Sequence, residues 1–353
     1  MINELKAYKD TVDYITEKGN YNIMEVCGTH TEAVNKFGIR EALNNINLIS
    51  GPGCPICVTP SSYIDYIYKL SFKKDFVVSV FGDLLKVIGT RDEITLLNAK
   101  AKGGKILTAF SSVEAVNYAI KNQDKKVVFV GIGFETTIPS TAIAINEAIK
   151  NKLNNFYVLS LHKKIRPVME ELMKDEKTKI DGFICPGHVA MVTGAEQFNF
   201  LNDYNVPGVI AGFQAMDILN AIKKIVDMLE KKEICVVNNY ASVVRKNGNK
   251  VALELIEKIF CTRNDIWRGI GMVSESGYKI KNEYENFDIE KLIPIKIEIE
   301  REKECYCKDV IKGIIKPFEC KSFGRECNPN NPKGPCMISK EGSCSAFYRN
   351  RGV

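Results

Sequence analysis

The sequence predicts an α/β protein: two similar parallel-sheet α/β domains followed by a smaller, Cys-rich C-terminal domain. Three observations lead there. Short apolar, β-branched runs alternate with segments of helical spacing from residue 21 to about residue 230, the pattern of parallel sheets covered by helices. The alternating units are too many for one sheet. From Cys305 onward the composition turns to Cys, Pro and Gly, with too few apolar residues for a large core, so a metal centre would be the natural staple of that segment.

Taken in order, Ile2, Leu5, Tyr8, Val12 and Ile15 recur at helical spacing and predict a first helix ending near Gly19. Strands are predicted over 21–26 and 47–50, with a helix over 31–43 between them. Next come a buried strand over 76–81, a helix over 92–102 stopped by Gly103-Gly104, and a strand over 105–109. Ser111 is placed to N-cap a helix running to about Asn122. Strands follow over 126–130, 156–161, 182–185 and 208–211, with helices over 139–151, 165–174 and 214–230. Residues 243–260 read as strand, turn and helix. The expected domains are 1–122, 123–232 and 233–353.

At 353 residues, 45% hydrophobic and 26% charged, the chain has the composition of a soluble globular protein with room for two or three cores. Its net charge of +6 is spread along the chain rather than gathered in a patch, which gives no reason to expect nucleic acid. No apolar run reaches the length of a membrane span, and the first residues carry no apolar signal core. A cytoplasmic protein is expected. In a reducing compartment twelve cysteines point to metal or redox chemistry rather than a disulfide framework.

Four constellations carry chemistry. Gly51-Pro52-Gly53-Cys54-Pro55-Ile56-Cys57 is a Cys-x-x-Cys pair in a loop stiffened by Pro and opened by Gly. Such a turn binds a metal, cycles between dithiol and disulfide, or simply buries two small thiols. Cys27-Gly28-Thr29-His30 sits between a strand and a helix, where the helix N-terminus lowers a thiol pKa and His30 faces the sulfur across one turn. The alternative there is a buried cysteine with a packing histidine. If the first two strands are parallel, Cys27 and the Cys54/Cys57 loop share one sheet edge. Gly131-Ile132-Gly133-Phe134-Glu135-Thr136-Thr137 begins like a phosphate-cradling turn, but the third glycine is missing and the next strand ends at His162 rather than an acidic residue. Glu135 and the threonines Thr136 and Thr137 are better read as polar positioning groups. Cys185-Pro186-Gly187-His188 also follows a strand; His188 taken alone fits an ordinary turn.

The C-terminal cysteines form the strongest signal. Cys307, Cys320, Cys327 and Cys344 are widely spaced, with Cys305 and Cys336 beside them. Wide spacing in Gly/Pro-rich loops fits a [4Fe–4S] cluster, and structural zinc is the other reading. Cys235 and Cys261 lack such neighbours and read as core residues.

Together these motifs resemble the HypD family of hydrogenase maturation proteins. The matching residues are the four around Cys27, the seven from Gly51 to Cys57, Gly133 to Thr137, Pro186 to Val189, and the cysteine run from Cys307 through Cys320, Phe323, Gly324 and Cys327 to Gly342-Ser343-Cys344. The resemblance implies assembly of the Fe(CN)2CO unit of nickel–iron hydrogenase, with transient Fe(II) held at Cys27 near His30 and shared with a HypC-type small chaperone. Cyanide would come from a HypE-type donor protein. Cys54 and Cys57 would be a redox-active pair, and Cys307, Cys320, Cys327 and Cys344 would hold a [4Fe–4S] cluster in the third domain. Iron with diatomic ligands asks for an electron-rich thiolate, which a low-pKa Cys27 would supply. The alternatives, of different classes, are an iron–sulfur thiol–disulfide reductase acting on a protein disulfide and a structural zinc protein used for binding.

Overall fold

The computed structural model describes residues 2–295 and 305–350. Eleven strands are described: β1 (Tyr21–Glu25), β2 (Ile46–Ser50), β3 (Phe76–Phe81), β4 (Ile106–Ala109), β5 (Lys126–Gly133), β6 (Phe156–His162), β7 (Gly182–Pro186), β8 (Gly208–Ala211), β9 (Val236–Asn238), β10 (Phe260–Trp267) and β11 (Gly271–Ile280). They form a five-stranded sheet in the order β2-β1-β7-β8-β9, a four-stranded sheet in the order β4-β3-β5-β6, and the β10–β11 hairpin. All pairings in the two larger sheets are parallel. The predicted α/β class with two parallel sheets holds. Among the described residues no helix is long and apolar enough to cross a membrane.

The chain forms two compact units, each discontinuous: Met1–Cys54 with Val168–Lys250 and Glu304–Val353, and Pro55–Pro167 with Val251–Lys303. This differs from the contiguous division at 122 and 232, because β7, β8 and β9 return to pair beside β1 rather than building a sheet with β5 and β6. The cysteine-rich segment likewise belongs to the first unit instead of standing alone.

In the first unit the helix Ala215–Lys231 buries Ile218, Leu219, Ile222, Ile225 and Val226, an apolar stripe at helical spacing. The stripe packs with Ile23, Ile184 and Val209 of the sheet and Ile15 of the helix Ile2–Thr16. Burying each such side chain contributes roughly 1.5–3 kcal/mol. Gln214 and Asp217 close a capping box at the helix start.

In the second unit Val127, Val128, Phe129 and Val130 are consecutive and all buried, as a parallel strand covered on both faces requires. Ser111 caps the helix Ser112–Lys121, accepting from the Glu114 N–H. The β10–β11 hairpin carries a bulge between Arg263 and Asp265, and its buried Trp267 donates Nε1–H to Ser276 Oγ at 2.9 Å. Below Trp267, Lys163 Nζ meets Asp265 Oδ2 at 2.9 Å, an ion pair almost wholly removed from water.

Local departures from the sequence reading have local causes. The helix expected over 31–43 is two helices, Gly28–Lys36 and Ile39–Ala42, separated at Gly38, whose φ of +64° ends the first. In place of strand, turn and helix over 243–260, a helix Lys250–Ile259 comes first and β10 follows it. The helices Ser61–Ser71 and Gly187–Thr193 and one helical turn at Pro55–Val58, holding Cys57, lay unread in the sequence.

Candidate metal and thiol centre

Because β1, β2, β7 and β8 run parallel, the segments leaving their C-terminal ends gather on one edge of the first unit's sheet, where open α/β sheets place their sites. Those segments are Cys27 to His30, Gly51 to Cys54, Gly187-His188, and Gly212-Phe213. The Cys27 and Cys54 motifs thus lie on one edge, as the sequence indicates, and His188 joins them.

The Cys27 and Gly51–Cys54 loops touch through backbone. The Gly28 N–H donates to the Gly53 carbonyl at 3.1 Å. A Cβ on Gly53 would lie 2.3 Å from the Cys27 nitrogen and 2.5 Å from its Cα, so only glycine permits this approach. Gly28 in turn leaves room for Glu341, whose Cβ would stand 2.3 Å from an added methyl. Glu341 precedes Gly342-Ser343-Cys344, so the cysteine-rich segment reaches the residue beside Cys27. Cys54 and Cys57 are both disulfide-bonded.

Cys27 N-caps the helix Gly28–Lys36 with extended backbone angles. The expected low thiol pKa is not found. The residue is half-buried, and desolvation of its thiol pushes it up to about 12, with the Glu25 and Glu341 charges adding to the rise. The backbone N–H groups of His30 and Thr29 pull the other way, as a helix N-terminus should, but do not prevail.

His30 is wholly buried, and burial lowers its pKa to about 4. Its Nε2–H donates to the Gly212 carbonyl at 2.9 Å, which leaves Nδ1 as a buried lone pair with no hydrogen-bond partner. The ring stacks on Phe213 at 4.6 Å, and His188 stacks on Phe213 at 3.9 Å. Phe213 therefore joins the two histidines that the sequence places far apart. Sequence reasoning missed it because a lone aromatic after a strand looks like core; the Gly-aromatic pair directly after β8 was its only signal.

Glu25, also missed, is 1% exposed and sits at the end of β1. It accepts the Cys27 N–H at Oε2, 3.0 Å, and the Thr31 hydroxyl at Oε1. Burial raises its pKa to about 7. A carboxylate closing an otherwise apolar buried strand was the signal available.

In the C-terminal segment burial pushes the Cys344 thiol well above its ordinary value, and Cys307, Cys305, Cys327 and Cys320 all lie close enough to add to the rise. Cys307 Sγ is 2.7 Å from Cys336 Sγ, and Cys327 Sγ accepts the Lys333 N–H at 3.3 Å. Cys344 thus lies near the other three expected ligands, and near Cys305 as well. Among the described residues no group of three or more His, Cys, Asp or Glu side chains is set to hold a single metal ion. Four or more thiols, from the start of the helix Cys307–Ile311, the Cys320 and Cys327 turns and the helix Ser343–Asn350, fit the donor chemistry of a [4Fe–4S] cluster.

The second unit holds the remaining expected residues. Glu135 is buried just after β5, accepts the Ile165 N–H at 3.1 Å, and has an Oε2 without a hydrogen-bond partner. Burial raises its pKa to about 7. Thr136 is exposed. A carboxylate stands in the turn that opens like a phosphate cradle. His162 is buried between Thr141 and Ser160, and burial lowers its pKa to about 3.

A two-sheet α/β protein with a cysteine-bearing sheet edge and a thiol-rich C-terminal segment is the class that fold and site define. The family model described as "HypD: Hydrogenase formation hypA family" matches residues 3–351, and the chain belongs to that family. It is 36% identical to the hydrogenase maturation factor HypD of Escherichia coli strain K12 over 355 residues, covering 99% of this chain and 94% of the relative. It is 38% identical over 356 residues to a putative hydrogenase expression/formation protein of Methanocaldococcus jannaschii, covering 99% and 98%. Against HypD of Cupriavidus necator it is 36% identical over 338 residues, covering 93% and 89%.

Proposed function

We propose that this protein is a hydrogenase maturation factor working in the cytoplasm as a redox-active scaffold on which the Fe(CN)2CO unit of nickel–iron hydrogenase is assembled. The observation that carries the reading is the backbone contact between the Cys27 and Gly51–Cys54 loops beside His30. Cys27 takes the Fe(II) cargo as thiolate. Since burial holds the free thiol protonated, its proton leaves as the cation arrives, which is ordinary for a thiol ligand. His30 lies on the same edge, its ring orientation fixed by the Gly212 carbonyl and Phe213. Cys54 and Cys57 supply a thiol pair that alternates between disulfide and dithiol. Cys307, Cys320, Cys327 and Cys344 hold a [4Fe–4S] cluster, with Cys305 as an alternative ligand; when bound, the cluster supplies single electrons. Glu135 and Thr136 serve as polar positioning groups, and His188 supports the aromatic stack. The partners are a HypC-type chaperone, which shares the iron, and a HypE-type cyanide donor.

The test is complementation of a strain lacking its own maturation factor. Cys27→Ala should abolish hydrogenase maturation while leaving the protein folded. If it matures hydrogenase normally, the iron-holding role fails. The rival thiol–disulfide reductase predicts catalytic reduction of a protein disulfide that survives Cys27→Ala.

A further inference from the structure

Glu25 stands where strand physics asks for an apolar side chain. Its neighbours Ile23, Met24 and Val26 are buried and apolar, and an aliphatic residue there would avoid the cost of burying a charge. What the carboxylate gains is contacts. Oε2 takes the Cys27 N–H and Oε1 the Thr31 hydroxyl, in the first turn after Cys27. Ser50, its register partner on β2, hydrogen-bonds it as well. Its backbone carbonyl accepts the Gly51 N–H at 2.8 Å, where the Cys54 loop begins. Arg40 answers the charge: its guanidinium reaches Ser50 Oγ at 3.3 Å and lies 4.6 Å over the ring of Phe347. Phe347 belongs to the helix Ser343–Asn350, which carries Cys344. The Glu25 carboxylate therefore ties the Cys27 loop to Ser50, the last residue of β2 before the Cys54 loop, while its backbone carbonyl holds Gly51, and Arg40 extends the link to the cysteine-rich segment.

We infer that Glu25 is the positioning residue of the Cys27 centre, fixing the direction of Cys27 and its separation from the Cys54 loop. The inference rests on reading Cys27 as the iron-holding thiol. Its distinguishing requirement is acceptors at both carboxylate oxygens. Glutamine matches the shape but turns an N–H toward part of the donor set of the Cys27 N–H and the Thr31 and Ser50 hydroxyls; aspartate keeps both acceptors on a shorter stem.

The test uses the full chain as parent, Glu25→Gln, Glu25→Asp and Cys27→Ala. Each is assayed for hydrogenase maturation in the complemented strain and for backbone exchange in D2O read by mass spectrometry. Glu25→Gln should speed exchange around Cys27 and Gly28 by about tenfold or more, the factor lost with roughly 1.4 kcal/mol of local protection, while β7 and β8 stay as protected as in the parent. Maturation should fall by up to about a hundredfold, the effect of a misplacement near 1 Å, and Glu25→Asp should recover part of both. Parental exchange and maturation in Glu25→Gln would overturn the inference. So would faster exchange throughout the first unit, because that marks a purely structural role. If Cys27→Ala matures hydrogenase normally, the functional reading falls instead, and the exchange pattern alone then decides whether Glu25 orders the loops.

Discussion

Gly53→Ala should disable the centre without unfolding the protein. The backbone at Gly53 does not have the positive φ that disfavours an L side chain, so the penalty of the added methyl is steric. The methyl carbon would lie 2.3 Å from the Cys27 nitrogen, 2.5 Å from its Cα and 2.5 Å from the Val26 carbonyl carbon. All three are backbone atoms that no rotamer change can clear. Restoring ordinary contact requires the loops to part by about 1 Å, which stretches the Gly28 N–H to Gly53 carbonyl bond. Overpacking of this kind costs about 1–3 kcal/mol, too little to unfold a protein of this size, whereas a displacement near 1 Å at a reacting centre costs about a hundredfold in rate. The assay pairs urea denaturation of the purified protein with hydrogenase activity in the complemented strain. Full maturation with unchanged stability would show that the two loops do not need their present approach.

Two further predictions concern the second unit. The Glu135 carboxyl, raised on folding from its ordinary value to about 7, favours the folded state at low pH, and that stability is lost as pH rises through about 7. Urea denaturation from pH 4.5 to 8 should show Glu135→Gln gaining about 3 kcal/mol relative to the parent across that range; parallel pH profiles would contradict the assignment. Lys163→Met leaves Asp265 buried without its cation and should cost about 3–5 kcal/mol, with Lys163→Met/Asp265→Leu regaining most of it; a single variant as stable as the parent would show the pair contributes nothing.

The local elements were legible wherever one pattern dominated. The strand over 76–81, the helix over 165–174 and the strand over 208–211 stand where their apolar runs and helical spacing put them, because each is buried in the way its period implies. The interleaving of the two units was not legible, since pairing of β7 with β1 joins residues about 160 apart and leaves no local trace. The hairpin after Phe260 hid for another reason: Arg263 and Asp265 break the alternation, and both are held by partners that only the fold supplies.

At the centre, the placement of Cys27 and Cys54 on one edge followed from strand order, but the state of the thiol did not. A helix N-terminus does lower a thiol pKa, and the sequence shows the helix start; it does not show that burial at Cys27 outweighs that effect. Glu25 escaped because a single acidic residue in an apolar strand reads as a strand end facing water, whereas its partners Thr31, Ser50 and Arg40 lie on three other elements. Likewise Phe213 gains meaning only when β8 lies two strands from β1 and brings it between His30 and His188.

Whether a thiol scaffold is joined to an iron–sulfur cluster is decided by the visible spectrum with an iron and sulfide count on protein purified without oxygen. The expected result is a brown protein with about four irons and four sulfides per chain, as a single cubane requires, lost when Cys320, Cys327 or Cys344 is changed to Ala. A colourless protein containing zinc would contradict it, removing the electron source and leaving Cys27 to be judged as an iron-holding thiol alone.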